Sequence, residues 1–334
     1  MKNNNSVEIA VINYDVVSFD SDVLVLKYAQ AHFGLDRFIS QKLIRLGVDD
    51  TLFSPLPGIA NYFNSRGGIS ASNVLIVGVK PLYDFNYKDI RSFARTALES
   101  LIDQEASIQH VCLTLHGANY GLDEIEAFES EVAGLIDGIT GGRFPKEIRK
   151  ISIIEIDKKR ADRLNKTLTE LIPKGYIEVN LKSYLRDVKQ EVSEKFRSVG
   201  YSSSDKPYIF IAMPFLAEME DVYDYGISNA VRKSGFLCER ADLSVFTGDV
   251  MDWVKKRIKS ASLVVADLTT ANANVYVEVG YAWGSGVQTI LLVQQAAQLK
   301  FDVRSQRCIV YTRIKELEEK LHNELISLKY ATID

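Results

Sequence analysis

Cysteine is scarce in this chain, with three in 334 residues. Cys112, Cys238 and Cys308 lie far apart and share no CxxC spacing, which argues against a disulfide framework or a zinc site. Cys112 and Cys308 stand within apolar runs and read as small core residues. Histidine is nearly as sparse: His32, His110, His116 and His322 form no HExxH-like pair, so no metal centre is expected. An excess of either charge is also missing. Lys and Arg total 40, Asp and Glu total 44, and the net charge is −4. That balance argues against a broad basic surface for duplex nucleic acid. No apolar run approaches the roughly 18–20 residues of a membrane helix, and the opening MKNNNSVEIAVI lacks the long apolar core of a signal peptide. The expectation is a cytoplasmic protein with no membrane partner. What is present is ordinary globular composition, 46% hydrophobic and 25% charged. The length predicts two domains at about 150 residues each.

Apolar β-branched runs alternate with amphipathic stretches through the first half. The runs are Val7–Val11, Val23–Leu26, Val74–Val79, Val111–Leu115 and Ile151–Ile156. The predicted helices are Asp36–Leu46, Tyr87–Leu101, Asp123–Ile136 and Lys158–Leu171. Such alternation predicts an α/β sheet covered on both faces. Leu181–Val199 carries apolar residues at gaps of three and four, the mark of a further helix. Gly200–Pro207, with three serines, reads as a linker. The pattern then restarts with strands Tyr208–Met213, Leu263–Ala266, Thr289–Val293 and Cys308–Tyr311. Helices are expected over Asp221–Ser234, Asp249–Ser260, Val275–Gly284 and Ile314–Leu328. The expected division is residues 1–175, a connector over 176–205, and 206–334.

The most informative stretch is Ala266–Gly286, ADLTTANANVYVEVGYAWGSG. Asp267 falls at the carboxyl end of a buried strand, where open parallel sheets place their ligands. Asn272 or Asn274 suits the cap of the following helix. At about 100° per residue, Val275, Val279, Ala282 and Trp283 form its apolar stripe. Glu278 lies at the stripe's edge, with Asn274 and Tyr281 on the same side. Desolvation there raises the pKa of a carboxylate that lacks a partner, which suits a functional group. The competing reading makes Glu278 one half of an ion pair that holds the helix down. Met213, Pro214 and Phe215 follow the first strand of this half, and Phe215 suits stacking on a base or nicotinamide ring. Asp224 and Tyr225 approach the same edge by topology.

IFIAMPF at Ile209–Phe215, SLVVADLT at Ser262–Thr269 and NANVYVEVGYAWGSG at Asn272–Gly286 together resemble a bacterial TIR-like domain. They are equally similar to the nucleoside 2-deoxyribosyltransferase-like superfamily. The resemblance covers roughly Lys206–Tyr311 and departs from the usual motifs at Ala273, often proline, and Val277, often aromatic. It implies a flavodoxin-like parallel sheet and cleavage of an N-glycosidic bond, with Glu278 attacking or stabilising the ribosyl carbon. Asp267 would supply or organise a proton, and Met213, Pro214, Phe215, Asn274 and Tyr281 would line the substrate. NAD+ is then a substrate rather than a cofactor. It needs no general acid, because its nicotinamide is already cationic before the bond breaks.

In the first half, LTLHGANYGLDEIEAF at Leu113–Phe128 is a strand, a glycine-containing loop and a helix. Gly117 and Gly121 permit close approach of backbone N–H groups to an anion. Asp123 and Glu124 suit a capping role as well. With DVLVLKY, NVLIVGV and ISIIEIDKKRADRL, this order resembles a divergent macro-like domain over about residues 5–172. That resemblance implies a three-layer domain sensing a nucleotide through Gly117, Ala118, Asn119, Tyr120, Gly121 and Leu122. The Asn-Ala-Ala-Asn-like motif of hydrolytic macro domains is missing. A CARF-like sensor is the alternative. The combined expectation is two α/β domains forming an NAD+-cleaving antiphage effector. Its partners would be a nucleotide-derived activating ligand and further copies of itself, in a homo-oligomer or filament. The alternatives are a nucleoside or nucleotide N-glycosidase or deoxyribosyltransferase, and a non-catalytic nucleotide-binding signalling module.

Overall fold

A computed structural model describes residues 6–104, 107–118, 120–179, 190–240, 250–294 and 308–331, with side chains at all of these except 190–193, 250 and 329–331. The chain divides into two compact units, residues 1–118 with 124–204 and residues 119–123 with 205–334.

The first unit is built on a seven-stranded mixed sheet. Its strands are β1 (Ser6–Asn13), β2 (Val23–Tyr28), β3 (Ala60–Asn64), β4 (Asn73–Gly78), β5 (His110–Leu113), β6 (Lys150–Glu155) and β7 (Tyr176–Glu178), in the order β3-β4-β2-β5-β6-β1-β7. The five central strands are parallel, and both edge strands, β3 and β7, run antiparallel to their neighbours. The helices are α1 (Gly34–Arg45), α2 (Tyr87–Ser100), α3 (Glu124–Thr140), α4 (Lys158–Leu171) and α5 (Gln190–Ser198).

Leu24, Leu26, Val74 and Ile76 pack with Ile39 and Leu43 of α1 on one side of the sheet. The alternate set, Val23, Val25, Leu75 and Val77, is equally buried. Burial of both sets is what a sheet covered on two faces requires, so the unit is a three-layer α/β domain. The edge strands escaped the sequence reading because neither carries a buried apolar run: β3 is half-buried over most of its length and β7 has three residues.

Helices α2 and α3 lie close together at Gly134, where a Cβ would fall 2.2 Å from the Arg91 carbonyl oxygen. Gly134→Ala is therefore expected to push them apart and cost about 1–3 kcal/mol, measured by urea unfolding. A loss below a few tenths would show that the helices separate freely.

The second unit holds β8 (Tyr208–Ala212), β9 (Leu237–Glu239), β10 (Leu263–Asp267), β11 (Thr289–Val293) and β12 (Cys308–Val310). All are parallel, in the order β12-β11-β10-β8-β9. Counted from β8, this is the flavodoxin-like order, 2-1-3-4-5. Helix α6 (Ala217–Asp221) continues through a π-helical stretch, Val222–Ile227, into α7 (Ser228–Lys233). Then come α8 (Val250–Ser260), α9 (Ala273–Gly284) and α10 (Ile314–Ala331).

The pleat sorts the core. Ile209, Ile211, Val265 and Leu292 face the 217–233 helices and α10. Phe210, Ala212, Val264 and Ala266 face α8 and α9. The single helix read over Asp221–Ser234 is thus interrupted by a wider turn, which places Asp224 and the exposed Tyr225 on π-helical backbone.

Residues 181–189 of the helix read over Leu181–Val199 lie outside the described residues. The stretch read as a linker is held down as far as Ser204. Arg91 donates to the carbonyls of Phe196 (2.8 Å) and Val199 (2.6 Å), and the Gly200 N–H donates to Ser203 Oγ (2.6 Å). Serine and glycine here serve a tight, bonded turn rather than flexibility. Cys112 is buried as expected, whereas Cys308 is only half-buried. Among the described residues no helix is long and apolar enough to cross a membrane, and no group of three or more His, Cys, Asp or Glu side chains is placed to hold a metal ion.

Candidate active site

The strand order reverses between β8 and β10, and the carboxyl ends flanking such a reversal are where sheets of this kind form a ligand-binding crevice. Register pairs Ala212 with Ala266, so Met213 and Asp267 emerge on adjacent strands. Met213 and Pro214 are buried and Phe215 is half-buried. Asp267 is 1% exposed. Its Oδ1 accepts the Thr269 N–H at 2.9 Å and its Oδ2 accepts the Tyr311 hydroxyl at 2.7 Å. Burial raises its pKa, against the lowering effect of those hydrogen bonds. With both oxygens accepting, Asp267 ties the loop after β10 to the residue after β12. Tyr311→Phe removes one of these bonds to a buried carboxylate, and a loss of about 1.5–3 kcal/mol in urea unfolding is expected. An unchanged midpoint would show that the tie contributes nothing.

Helix α9 starts where this loop ends. The Asn272 side chain accepts the Asn274 N–H at 2.9 Å, so Asn272 is the cap, and Asn274 is exposed. Val275, Val279 and Ala282 face the core, as the spacing predicts. Trp283 does not: it is 38% exposed. Tyr281 is half-buried against the same core.

Glu278 is 7% exposed. It has no hydrogen-bond or ion-pair partner among the described residues, and burial alone pushes its pKa up to about 7.

The structure adds a residue that the sequence did not single out. Arg240, just past β9, is buried between two aromatic rings, 3.9 Å from the Phe215 centroid and 3.8 Å from that of Tyr223. A three-residue strand is too short to carry a periodicity that would point to its successor.

In the first unit His116 and Glu131 form a buried pair, Nδ1 to Oε1 2.8 Å. Burial holds the histidine pKa well down and the glutamate pKa well up.

The boundary between the two units falls within the six residues read as a sensor loop. Gly117 and Ala118 belong to the first unit, Gly117 with φ +87°. Asn119 lies outside the described residues. Tyr120, Gly121 and Leu122 belong to the second unit. There the Gly121 N–H donates to the Arg240 carbonyl at 3.2 Å, and the Trp253 ring fills the space a Cβ would need. Asp123 is drawn into the same unit. Its Oδ2 accepts from Arg232 Nε and the Cys238 N–H, both at 2.9 Å.

No protein-family model matches the chain, and no curated protein matches it. Among solved structures it is similar to the Clostridium botulinum CMP N-glycosidase BcmB at 18% identity. That match covers 35% of this chain and 98% of that one, with a TM-score of 0.31. It is also similar to a Trypanosoma brucei macrodomain in complex with ADP, at 14% identity over 48% of this chain and 69% of that one, TM-score 0.39. An Oceanobacillus iheyensis macrodomain with ADP matches at 15% identity over 49% and 91%, TM-score 0.38. At such overlap the chemistry rests on this chain's own side chains.

Proposed function

We propose that the second unit cleaves the nicotinamide N-glycosidic bond of NAD+, with Glu278 as the carboxylate at the ribosyl carbon. The observation that carries this reading is a glutamate more than nine-tenths buried with no partner among the described residues. An unpaired buried carboxylate is costly to ionise, and a cationic substrate offsets that cost.

In the reaction the glycosidic electron pair passes to the pyridinium nitrogen, which becomes neutral as nicotinamide leaves. Positive charge moves to the ribosyl carbon, where Glu278 stabilises or traps it. Water adds its oxygen there and releases a proton, giving ADP-ribose. This leaving group needs no acid, which agrees with an Asp267 whose oxygens are both engaged as acceptors. Met213, Pro214, Phe215, Asn274 and Tyr281 line the substrate in this reading. The first unit binds a nucleotide signal or mediates assembly into a homo-oligomer, and the whole acts as an antiphage effector.

A second reading, hydrolysis or transfer at a neutral nucleoside or nucleotide, is favoured by one observation. A Glu278 pKa of about 7 leaves the group half protonated near neutrality, so it is itself an acid for a neutral base.

Product analysis by liquid chromatography and mass spectrometry, with NAD+ and then a nucleotide panel, separates the two. The pH dependence separates them again. For NAD+, kcat/KM is expected to rise with pH through about 7 and then level, as Glu278 ionises in the free enzyme. Free base without nicotinamide, with kcat/KM falling above that pH, would replace the first reading by the second.

A further inference from the structure

Arg240 is 3% exposed, yet its guanidinium is incompletely used. Nη2 donates to both oxygens of Glu220, at 3.0 and 2.9 Å. Nη1 meets the Met213 sulfur, at 3.8 Å, and Nε has no acceptor among the described residues. A carboxylate that fits arginine well takes Nε and an Nη together as a fork. Glu220 sits on one corner of that edge instead, and its own side chain is 42% exposed. A buried donor left without an acceptor is costly. Two rings clamp the guanidinium plane, Phe215 from the loop after β8 and Tyr223 from the π-helical turn. A π turn sets side chains off the ordinary helical phase, and such turns recur at functional sites. The clamp fixes where the fork points and leaves Glu220 as the part free to move. Contact with Met213 and Phe215 places the group at the β8 end of the crevice.

We infer that Arg240 is a receptor for the phosphate of a nucleotide, and that Glu220 is a displaceable plug that occupies it in the unliganded protein. A phosphate oxygen pair takes Nε and Nη2 together as Glu220 swings to solvent. That this phosphate is the substrate's rests on the proposed N-glycosidase, whereas the receptor itself does not.

The test is calorimetric titration of inorganic pyrophosphate into the full chain. Glu220→Gln is expected to bind it at least ~10-fold more tightly than wild type, because the competing anion is gone. Arg240→Lys is expected to lose at least ~10-fold, because lysine offers no fork. Equal affinities for Glu220→Gln and wild type, or no binding to either, overturn the receptor. Glu220→Gln decides alone if Arg240→Lys melts early. The substrate assignment is read from NAD+ against nicotinamide riboside, which lacks the phosphates. Arg240→Lys is expected to raise KM for NAD+ alone, and an equal rise for both overturns that assignment. Tightened pyrophosphate binding with no nicotinamide release from any variant leaves the receptor standing and removes the NAD+ reading.

Discussion

Glu278→Gln is expected to abolish nicotinamide release and to make the protein more stable at alkaline pH. Both effects follow from the same burial. In the unfolded chain the carboxyl titrates near its ordinary value of 4.5, and in the folded chain it titrates at about 7. Below the lower value both states are protonated and nothing is lost. Between the two values the unfolded state ionises first, so stability falls as pH rises. Above about 7 the loss is complete, on the order of 3 kcal/mol from a shift of this size. Glutamine keeps the shape and removes the charge. Urea unfolding is expected to show the variant more stable than wild type by roughly 2–3 kcal/mol at pH 8, with the curves converging toward pH 4–5. Nicotinamide release is expected to drop by on the order of 10³-fold, since the group that meets the developing charge is gone. This is the trade of stability for activity found where a side chain serves a ligand instead of the fold. Turnover within tenfold of wild type would remove Glu278 from the chemistry. A variant less stable than wild type at pH 8 would instead mark it as an ion-pair partner.

The second large effect is expected at Arg91, which is 5% exposed in the first unit. Its Nε and Nη2 form a fork with Asp137, at 2.7 and 2.8 Å, while Nη1 donates to the carbonyls of Phe196 and Val199. The Tyr201 ring covers the guanidinium at 4.4 Å. Nearby, Lys195 pairs with Glu129, and Ser203 Oγ donates to Glu126. Arg91→Met strands a carboxylate and two carbonyls at once, and a loss of about 3–5 kcal/mol is expected. Hydrogen exchange should rise most over residues 195–204, because α5 and the turn after it lose their central donor. Uniform exchange across the unit with a loss under 1 kcal/mol would show that the segment is held by packing alone.

The α/β class was legible in the sequence because a buried parallel strand must be apolar on both faces. Val23–Leu26, Ile151–Ile156 and Leu263–Ala266 carry that signature without any knowledge of their neighbours. The face of α9 was legible for the same reason: a period of 3.6 residues puts Glu278 beside Val275 and Val279. What surrounds a side chain is not periodic, and the sequence was silent there. It left the ion-pair reading of Glu278 open, and only packing showed the carboxylate without a partner among the described residues. It read Asp267 as supplying or organising a proton, and was silent on Tyr311, 44 residues later, which the fold brings onto its second oxygen. It gave Trp283 to the core and left Arg240 unremarked, because exposure at a helix end and burial after a three-residue strand depend on which elements lie alongside. It read residues 117–122 as one loop, and could not show that Asp123, next in the chain, is held by Arg232 and the Cys238 N–H. Local pattern determines which segments form strands and helices and which way they face. The company each polar group keeps is decided by contacts between residues distant in the chain, and those exist only once it has folded.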